Sequence, residues 1–201
     1  DAFDAVAVDY RPLPRITATG DAANTNAPQL WEVAPNNVCF DWVAGDGVAT
    51  KSALASAEHV VTLEMVNNRI ITCFLEPRSA LAYRDTLDGR FTLCSSAQEP
   101  HGVKEVVSRV LGVSQLNIRV VAMDVGGAFG MKGQVYPEEP LVLWAAIKLN
   151  RPVKWTSDRS EAITTDMHGR GPSAKAALAL TKEGKFLAFR TSVLVDVGAY
   201  L

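Results

Sequence analysis

The chain has 201 residues, of which 48% are hydrophobic and 21% charged, and its formal net charge is −2. This composition is typical of a folded globular protein with one domain or two small ones, and it excludes a disordered chain. The slightly acidic balance argues against nucleic acid as a partner, because nucleic-acid binding calls for a basic face. No apolar run reaches the roughly 18 residues that a membrane-spanning helix needs, so we expect no membrane partner either.

The cysteines and histidines do not form a metal-binding pattern. Three cysteines, Cys39, Cys73 and Cys94, are far apart and odd in number, which excludes a Cys-x-x-Cys zinc site and a disulfide framework. The three histidines include no i, i+4 pair. We therefore predict buried thiols in a reducing compartment, which favours the cytoplasm, and no side chain that binds a metal directly.

The first 45 residues are predicted to be extended or irregular. Residues 4–10 alternate as a strand does, and Pro12 and Pro14 end this pattern because proline lacks the amide that a sheet requires. Residues 19–37 are rich in Gly, Asn, Ala and Pro, which is typical of a surface connector.

Regular patterns follow from residue 51 onward. Pro100 and Gly112 mark the start and end of one helix, and Asp88-Gly89 predicts a hairpin turn. Apolar periodicity predicts helices at 52–58, 101–111 and 137–150, and strands at 60–66, 80–84, 90–94, 117–125, 153–156, 174–181 and 186–197.

These elements predict an α+β fold, in which a mixed sheet with hairpins is combined with a few helices. The helix at 137–150 is apolar nearly all round and should be buried. Trp144 and Trp155 are accordingly predicted to be core residues. Residues 197–201 are apolar and lack a stop signal, from which we expect the chain to stop inside a domain.

The most informative stretch is Asp124-Val-Gly-Gly-Ala-Phe-Gly-Met-Lys132, directly after a predicted buried strand. Its three glycines allow positive φ and let backbone amides approach an anionic ligand. The glycine spacing does not fit Gly-x-Gly-x-x-Gly, and the Walker pattern fails because Lys132 lies between Met131 and Gly133. From these residues alone a tight structural turn and a ligand loop both stay open, and the bulky Phe129 favours a pocket wall.

An ordered set of short motifs connects the chain with a known family. Besides the glycine loop, the set comprises Asn67-Asn68, Glu76-Pro-Arg78, Ser95-Ser-Ala-Gln-Glu-Pro-His101, Tyr136-Pro-Glu-Glu139, Leu143-Trp144, Arg151-Pro-Val-Lys-Trp155, Asp158-Arg-Ser-Glu161, His168-Gly-Arg170 and Asp196-Val-Gly-Ala-Tyr200. In this order and spacing, the chain from about residue 40 resembles the large, molybdopterin-binding subunit of the xanthine dehydrogenase/aldehyde oxidase/carbon monoxide dehydrogenase family.

The resemblance implies an oxidoreductase that hydroxylates an aldehyde or heterocycle, or oxidises CO, with water as the oxygen source. Molybdenum-molybdopterin carries the redox chemistry, and its cytosine dinucleotide form is one option; the protein holds this cofactor and shapes the pocket. The implied partners are a small-molecule substrate and iron–sulfur and FAD subunits or domains that accept the electrons. A homodimer is a further option.

The resemblance also implies roles for particular residues. Gln98 matches a glutamine that donates a hydrogen bond to an oxo ligand of molybdenum, a task suited to a neutral amide. Gln98 and Phe129 are therefore predicted catalytic residues. The predicted cofactor-binding residues are Gln98, Gly126, Gly127, Ala128, Phe129 and Gly130. For Gln98 taken alone, the alternative is a loop amide that caps the following helix.

Several positions depart from the family pattern or leave their roles open. For Glu76, Arg78 and Arg170, structural ion pairing is the favoured interpretation. Ala128 stands where the family usually has a third glycine, and a methyl group there requires negative φ. Gly133 follows Lys132 where purine-oxidising relatives have a glutamate that binds substrate, which argues against a purine substrate.

The resemblance finally implies that the chain is a fragment. Residues 1–45 match the tail of a preceding domain and a linker, and 46–201 match the N-terminal part of a truncated molybdopterin-binding domain. The family's general-base glutamate belongs to sequence further along, so we expect one wall of the site and no activity from this chain alone. Competing hypotheses are a non-catalytic binding or assembly module on the same scaffold and an unrelated α+β domain that binds phosphate.

Overall fold

The computed structural model describes residues 5–198, which divide into two compact units. One unit is the continuous stretch Ile70–Gly169, and the other combines the residues up to Arg69 with those from Arg170 onward. Each unit contains a sheet and at least one helix, and the predicted α+β class is confirmed. Across the described residues, no helix is long and apolar enough to cross a membrane.

The unit Ile70–Gly169 is built on a four-stranded mixed sheet. Its strands are β2 (Ser79–Arg84), β3 (Phe91–Ser95), β4 (Ile118–Val121) and β5 (Val153–Thr156), and its helices are α3 (Pro100–Leu111), α4 (Glu138–Leu149) and α5 (Arg159–Thr165). The strand order is β4-β3-β2-β5, where β3 and β4 are parallel and the other pairs antiparallel. Helices α3 and α4 pack against the sheet and each other.

The core of this unit lies between the sheet and these two helices. Leu93 from β3, Ile118 from β4, Val107 from α3 and Leu143 from α4 are inaccessible to solvent. Helix α3 ends as predicted, because Gly112 adopts the left-handed conformation (φ 64°) that stops a helix. Burial of one stripe of each helix is thus sufficient to form the core.

The prediction that the helix at 137–150 is buried all round is wrong. Val142, Leu143 and Ala146 face the core, but Leu141 is 58% exposed and Trp144 50% exposed. The reason is that α4 covers one layer only, so a uniformly apolar helix still leaves one face open. Trp144 is therefore not a core residue, whereas Trp155 is partly buried against the core.

The other unit contains a three-stranded antiparallel sheet. It consists of β1 (His59–Val66), β6 (Ser173–Leu180) and β7 (Phe186–Leu194) in the order β1-β6-β7, with the short α1 (Thr19–Ala22) and α2 (Gly47–Ser56) before it. Helix α2 packs against β6 and β7. Ala177 and Ala179 on the central strand are buried, whereas every residue of β1 is exposed.

Local hydrogen bonds explain where element boundaries differ from the prediction. Helix α2 begins five residues early because the Asp46 side chain accepts a hydrogen bond from the Ala49 amide (2.9 Å) and caps it. Helix α5 was not predicted; Asp158 caps it through the Glu161 amide (2.7 Å). Strand β4 ends four residues early, and residues 5–10 form no strand. Asp4 and residues 199–201 of the predicted patterns lie outside the described residues.

The prediction of buried thiols is also wrong. Cys39 and Cys73 are exposed and Cys94 is half-buried. Cys39 lies in the irregular N-terminal segment, which offers little core. Beside Cys73, the larger Phe74 takes the buried position and is 2% exposed.

Candidate functional site

Two loops meet at one edge of the four-stranded sheet. Because β3 and β4 are parallel neighbours, the segments that follow their carboxyl ends leave the sheet on the same side. The backbone amide of Gly130 donates a hydrogen bond to the side-chain oxygen Oε1 of Gln98 (3.0 Å). The backbone amide of Gln98 donates to the backbone carbonyl of Lys132 (2.9 Å). The Gln98 segment and the glycine loop therefore lie side by side, as one shared site requires.

The hydrogen bond from Gly130 occupies the oxygen of the Gln98 side chain and leaves its NH2 group available. The oxygen accepts from the loop, so the Nε2 group keeps both of its hydrogens for other acceptors. Gln98 is exposed and no acceptor within the described chain approaches this group. Gln98 does not cap α3: the residue at the N-cap is Glu99, which makes no side-chain cap. The capping alternative is wrong.

The glycine loop combines several left-handed residues. Gly127 (φ 98°), Phe129 (φ 54°) and Gly130 (φ 93°) have positive φ, whereas Ala128 does not. The condition that allows a methyl group at Ala128 is therefore met. Phe129 is the exceptional residue, because a bulky side chain in the left-handed region costs roughly 1–2 kcal/mol. The residue is 75% exposed to solvent.

Three consecutive amides of this loop have no acceptor within the described part of the chain. The loop uses its outer amides internally, since Gly126 donates to Glu76 Oε2 (2.7 Å) and Gly130 to Gln98. The amides of Gly127, Ala128 and Phe129 make no such bond. Neighbouring unsatisfied amides in a glycine-rich loop are typical of a site for anionic or oxygen-rich ligands. With the free side-chain Nε2 group of Gln98 beside them, they fit a cofactor bearing phosphate and oxo groups.

An ion pair between the buried Lys132 and the partly exposed Glu76 lies next to the loop. Lys132 Nζ is 2.9 Å from Glu76 Oε2 and donates to the Glu76 carbonyl oxygen (2.8 Å). Burial raises the pKa of Glu76, but the hydrogen bonds from Lys132 and Gly126 and the Lys132 charge outweigh it, so that pKa is lowered. The Lys132 ammonium also lies 4.6 Å from the centroid of the Phe74 ring.

A second network of ion pairs surrounds the buried side chain of Arg78. Its guanidinium contacts Asp166 (2.6 Å) and Glu138 (2.8 Å), and it lies 3.7 Å from the Tyr136 ring centroid. Burial alone would lower the pKa of Arg78, but its two carboxylate partners raise it. Structural ion pairing was the favoured interpretation for Glu76 and Arg78, and both side chains do form ion pairs.

Nearby, Glu139 connects the helix α4 to the Gln98 segment. Its carboxylate accepts hydrogen bonds from the Tyr136 amide (2.6 Å) and from Ser95 Oγ (3.0 Å), three residues before Gln98. Burial raises the pKa of Glu139 despite these two hydrogen bonds. This carboxylate therefore anchors the start of α4 to the end of β3.

Lys132 is the site residue that sequence reasoning missed. It was considered only as a candidate Walker lysine, although a lysine that directly follows a glycine loop is a signal in its own right. Its partner Glu76 is distant in sequence. Arg170 has positive φ (68°) and belongs to the other unit. Within residues 5–198, no group of three or more His, Cys, Asp or Glu side chains is arranged to hold a metal ion.

Comparisons with known proteins show the family to which the chain belongs. The model of the family described as molybdopterin cofactor-binding domain matches residues 30–201. The chain is 36% identical over 212 residues to the carbon monoxide dehydrogenase large chain of Hydrogenophaga pseudoflava, covering all of this chain and 26% of that one. It is 37% identical over 166 residues to the nicotine 6-hydroxylase large subunit of Paenarthrobacter nicotinovorans, covering 83% and 20% of the two chains.

Solved structures show the same similarity. Reconstituted CO dehydrogenase from Oligotropha carboxidovorans superposes with a TM-score of 0.85 at 34% identity, covering 96% of this chain and 25% of that one. Aldehyde oxidoreductase from Desulfovibrio gigas gives a TM-score of 0.87 at 27% identity, covering 97% and 21%. The chain spans between a fifth and about a quarter of the length of these relatives.

The family match over residues 30–201 gives the class of protein, a cofactor-binding domain, and the structure gives its α+β fold. The chain belongs to the molybdopterin cofactor-binding domain family, within the group of xanthine dehydrogenase, aldehyde oxidase and carbon monoxide dehydrogenase large subunits. Its relatives are molybdenum-dependent oxidoreductases.

Proposed function

We propose that residues 70–169 form one wall of the molybdenum-molybdopterin site in the large subunit of a molybdenum hydroxylase. The observation that carries this proposal is the set of three partnerless amides, Gly127 to Phe129, beside the free Nε2 group of Gln98. When bound, the cofactor supplies the oxygen transfer and accepts the electrons; the substrate is an aldehyde, a heterocycle or CO.

Each loop residue has a distinct task in this proposal. Gln98 donates from Nε2 to an oxo group while Gly130 holds its oxygen in place. Gly127, Ala128 and Phe129 present backbone amides to the cofactor, and the exposed Phe129 ring forms part of the wall beside the substrate. Gly126 and Gly130 shape the loop, since their own amides are bonded to Glu76 and Gln98.

The wider setting is proposed from the family resemblance. Iron–sulfur and FAD subunits or domains receive the electrons, the cofactor carries the cytosine dinucleotide form, and the protein works in the cytoplasm as a homodimer. Residues 1–45 serve as a connection from a preceding domain, and residues 46–201 as the first part of the cofactor-binding domain.

Gln98 gives the sharpest test, in a full-length large subunit that carries these residues. Gln98→Glu keeps an oxygen for the Gly130 amide but removes the Nε2 donor, whereas Gln98→Ala removes both. Loss of one preorganised donor slows turnover by about 10²–10³ where it acts on the transition state. We expect that loss in both variants at full molybdenum content, and no change for the exposed Gln115→Ala. Normal turnover of Gln98→Glu would contradict the role and favour a non-catalytic scaffold.

We further propose that the 201-residue chain alone neither retains the cofactor nor turns over substrate. The free amides and Gln98 offer contacts on one side only, and sites of this kind normally bury most of the ligand surface. The chain would be produced in a host that makes the cofactor, and its molybdenum, pterin and dye-reduction activity measured. Near-stoichiometric molybdenum with turnover would refute this statement.

A further inference from the structure

We propose that Lys132 is a positioning residue, which sets the shape of the glycine loop through Glu76 and the placement of Gln98 through its own backbone carbonyl. This inference rests on the proposed function of the loop and adds a residue to it. Lys132 does not reach the free amides; it acts through the groups that hold them.

The first observation is that Lys132 bonds to two segments, to Glu76 through its ammonium group and to Gln98 through its backbone carbonyl. Its ammonium donates to the carboxylate and the carbonyl oxygen of Glu76, while its own carbonyl accepts the Gln98 amide (2.9 Å). One residue therefore connects the backbone of Gln98 to the segment that contains Glu76. A shift of Lys132 would move both sides of the site.

The second observation is that Glu76 forms two hydrogen bonds with Gly126, at the start of the glycine loop. Glu76 Oε2 accepts from the Gly126 amide (2.7 Å), and the Glu76 amide donates to the Gly126 carbonyl (3.1 Å). A Cβ on Gly126 would lie 2.6 Å from Glu76 Cβ, so this approach requires glycine. The carboxylate oxygen that accepts from the Gly126 amide also accepts from the Lys132 ammonium group. Lys132 therefore holds this acceptor in position.

The third observation is the burial of the cation. The Lys132 side chain is 1% exposed, whereas that of Glu76 is 36% exposed. Burial of the Lys132 charge carries a desolvation cost that offsets its attraction to Glu76, so the pair need not add stability over apolar side chains of the same size. What apolar side chains cannot provide is a charged acceptor for the Gly126 amide at a defined position. The pair is therefore suited to setting loop geometry rather than to adding stability.

The hydrogen bonds of the loop can be measured without any cofactor, by amide hydrogen exchange in the isotope-labelled 201-residue chain. In Lys132→Met we expect exchange at Gly126 and Gly130 to rise about tenfold, as expected for loss of a local hydrogen bond, with Leu143 in the core unchanged. Lys175→Met is the matched control, because it removes the lysine of the exposed Lys175–Glu64 pair. It should leave all three amides as in the wild type.

Glu76→Gln provides a second variant that keeps a neutral acceptor for Gly126. Exchange at Gly126 should rise in this variant, but less than in Lys132→Met, and the variant provides the test if Lys132→Met does not fold. Wild-type exchange at Gly126 and Gly130 in the variants would overturn the proposal. An equal rise at Leu143 would also overturn it, because Lys132 would then be a general stabiliser.

A second measurement separates this inference from the proposed function. In the full-length subunit, Lys132→Met should lower kcat or molybdenum content, as Gln98→Glu lowers kcat. If the loop amides respond in the isolated chain and the loaded enzyme does not, the positioning holds and the role assigned to the loop fails. If the amides do not respond, the positioning fails and the role of Gln98 is unaffected.

Discussion

The two compact units use similar strand patterns but bury their apolar residues to very different extents. In the unit Ile70–Gly169, Leu93, Val107 and Leu143 are inaccessible to solvent. In the other unit β1 is exposed along its whole length, and Leu63 is 54% exposed. The difference shows that an apolar strand pattern forms a core only where a second layer covers the sheet.

The same contrast applies to charge pairs. Arg78 and Asp166 have side chains that are 6% and 1% exposed and lie 2.6 Å apart. Lys175 and Glu64, in the other unit, form a pair at 2.8 Å with side chains 75% and 72% exposed. Two pairs of similar length therefore have very different surroundings, and their energetic value should differ accordingly.

The largest effect is expected for Arg78→Met. This change leaves Asp166 and Glu138 without their cation, and removing one partner of a buried pair costs about 3–5 kcal/mol. The matched Lys175→Met should cost no more than about 1 kcal/mol, because the exposed pair is screened by solvent. Urea unfolding of the two variants measures both values. Equal losses would mean that the difference in burial does not govern the energetics.

The next effect compares two leucines. Leu143→Ala should destabilise its unit by about 2–5 kcal/mol, since it leaves a cavity between α4 and the sheet. Leu63→Ala, on the exposed strand β1, should change stability by about 0.5 kcal/mol. Thermal unfolding of both variants tests the comparison. A large loss for Leu63→Ala would show that β1 is covered in solution.

The smallest effect concerns Glu139, and its sign depends on pH. Burial raises the pKa of this carboxyl above 4.5, so the protonated form is favoured by folding. The stability from this preference is present below the unfolded pKa and is lost as pH rises through the folded pKa. Glu139→Gln, which resembles the protonated form, should therefore gain stability over the wild type as pH rises. A difference that is constant between about pH 4 and 8 would exclude this titration.

Local signals made much of the fold predictable. The Asp88-Gly89 turn, the Pro100 start and the Gly112 stop each depend on the conformational preference of one or two residues, and Gly89 and Gly112 do have positive φ (75° and 64°). Helix α4 was predicted, but the prediction of its burial failed, because the sequence shows an apolar helix and not which side is covered. Prediction also failed for the helix α5, whose seven residues carry little periodic signal.

The site divides in the same way. By itself the sequence determined a glycine loop after a strand, a glutamine before a helix, and a family resemblance that the comparisons bear out. Only the tertiary structure decided that Gly130 holds the Gln98 oxygen, that Phe129 takes positive φ, and that Lys132 reaches Glu76 across 56 residues. Backbone preferences act over a few neighbouring residues and can be read from local sequence. Pairings between distant residues depend on the parallel β3–β4 arrangement and on packing, which no local pattern encodes.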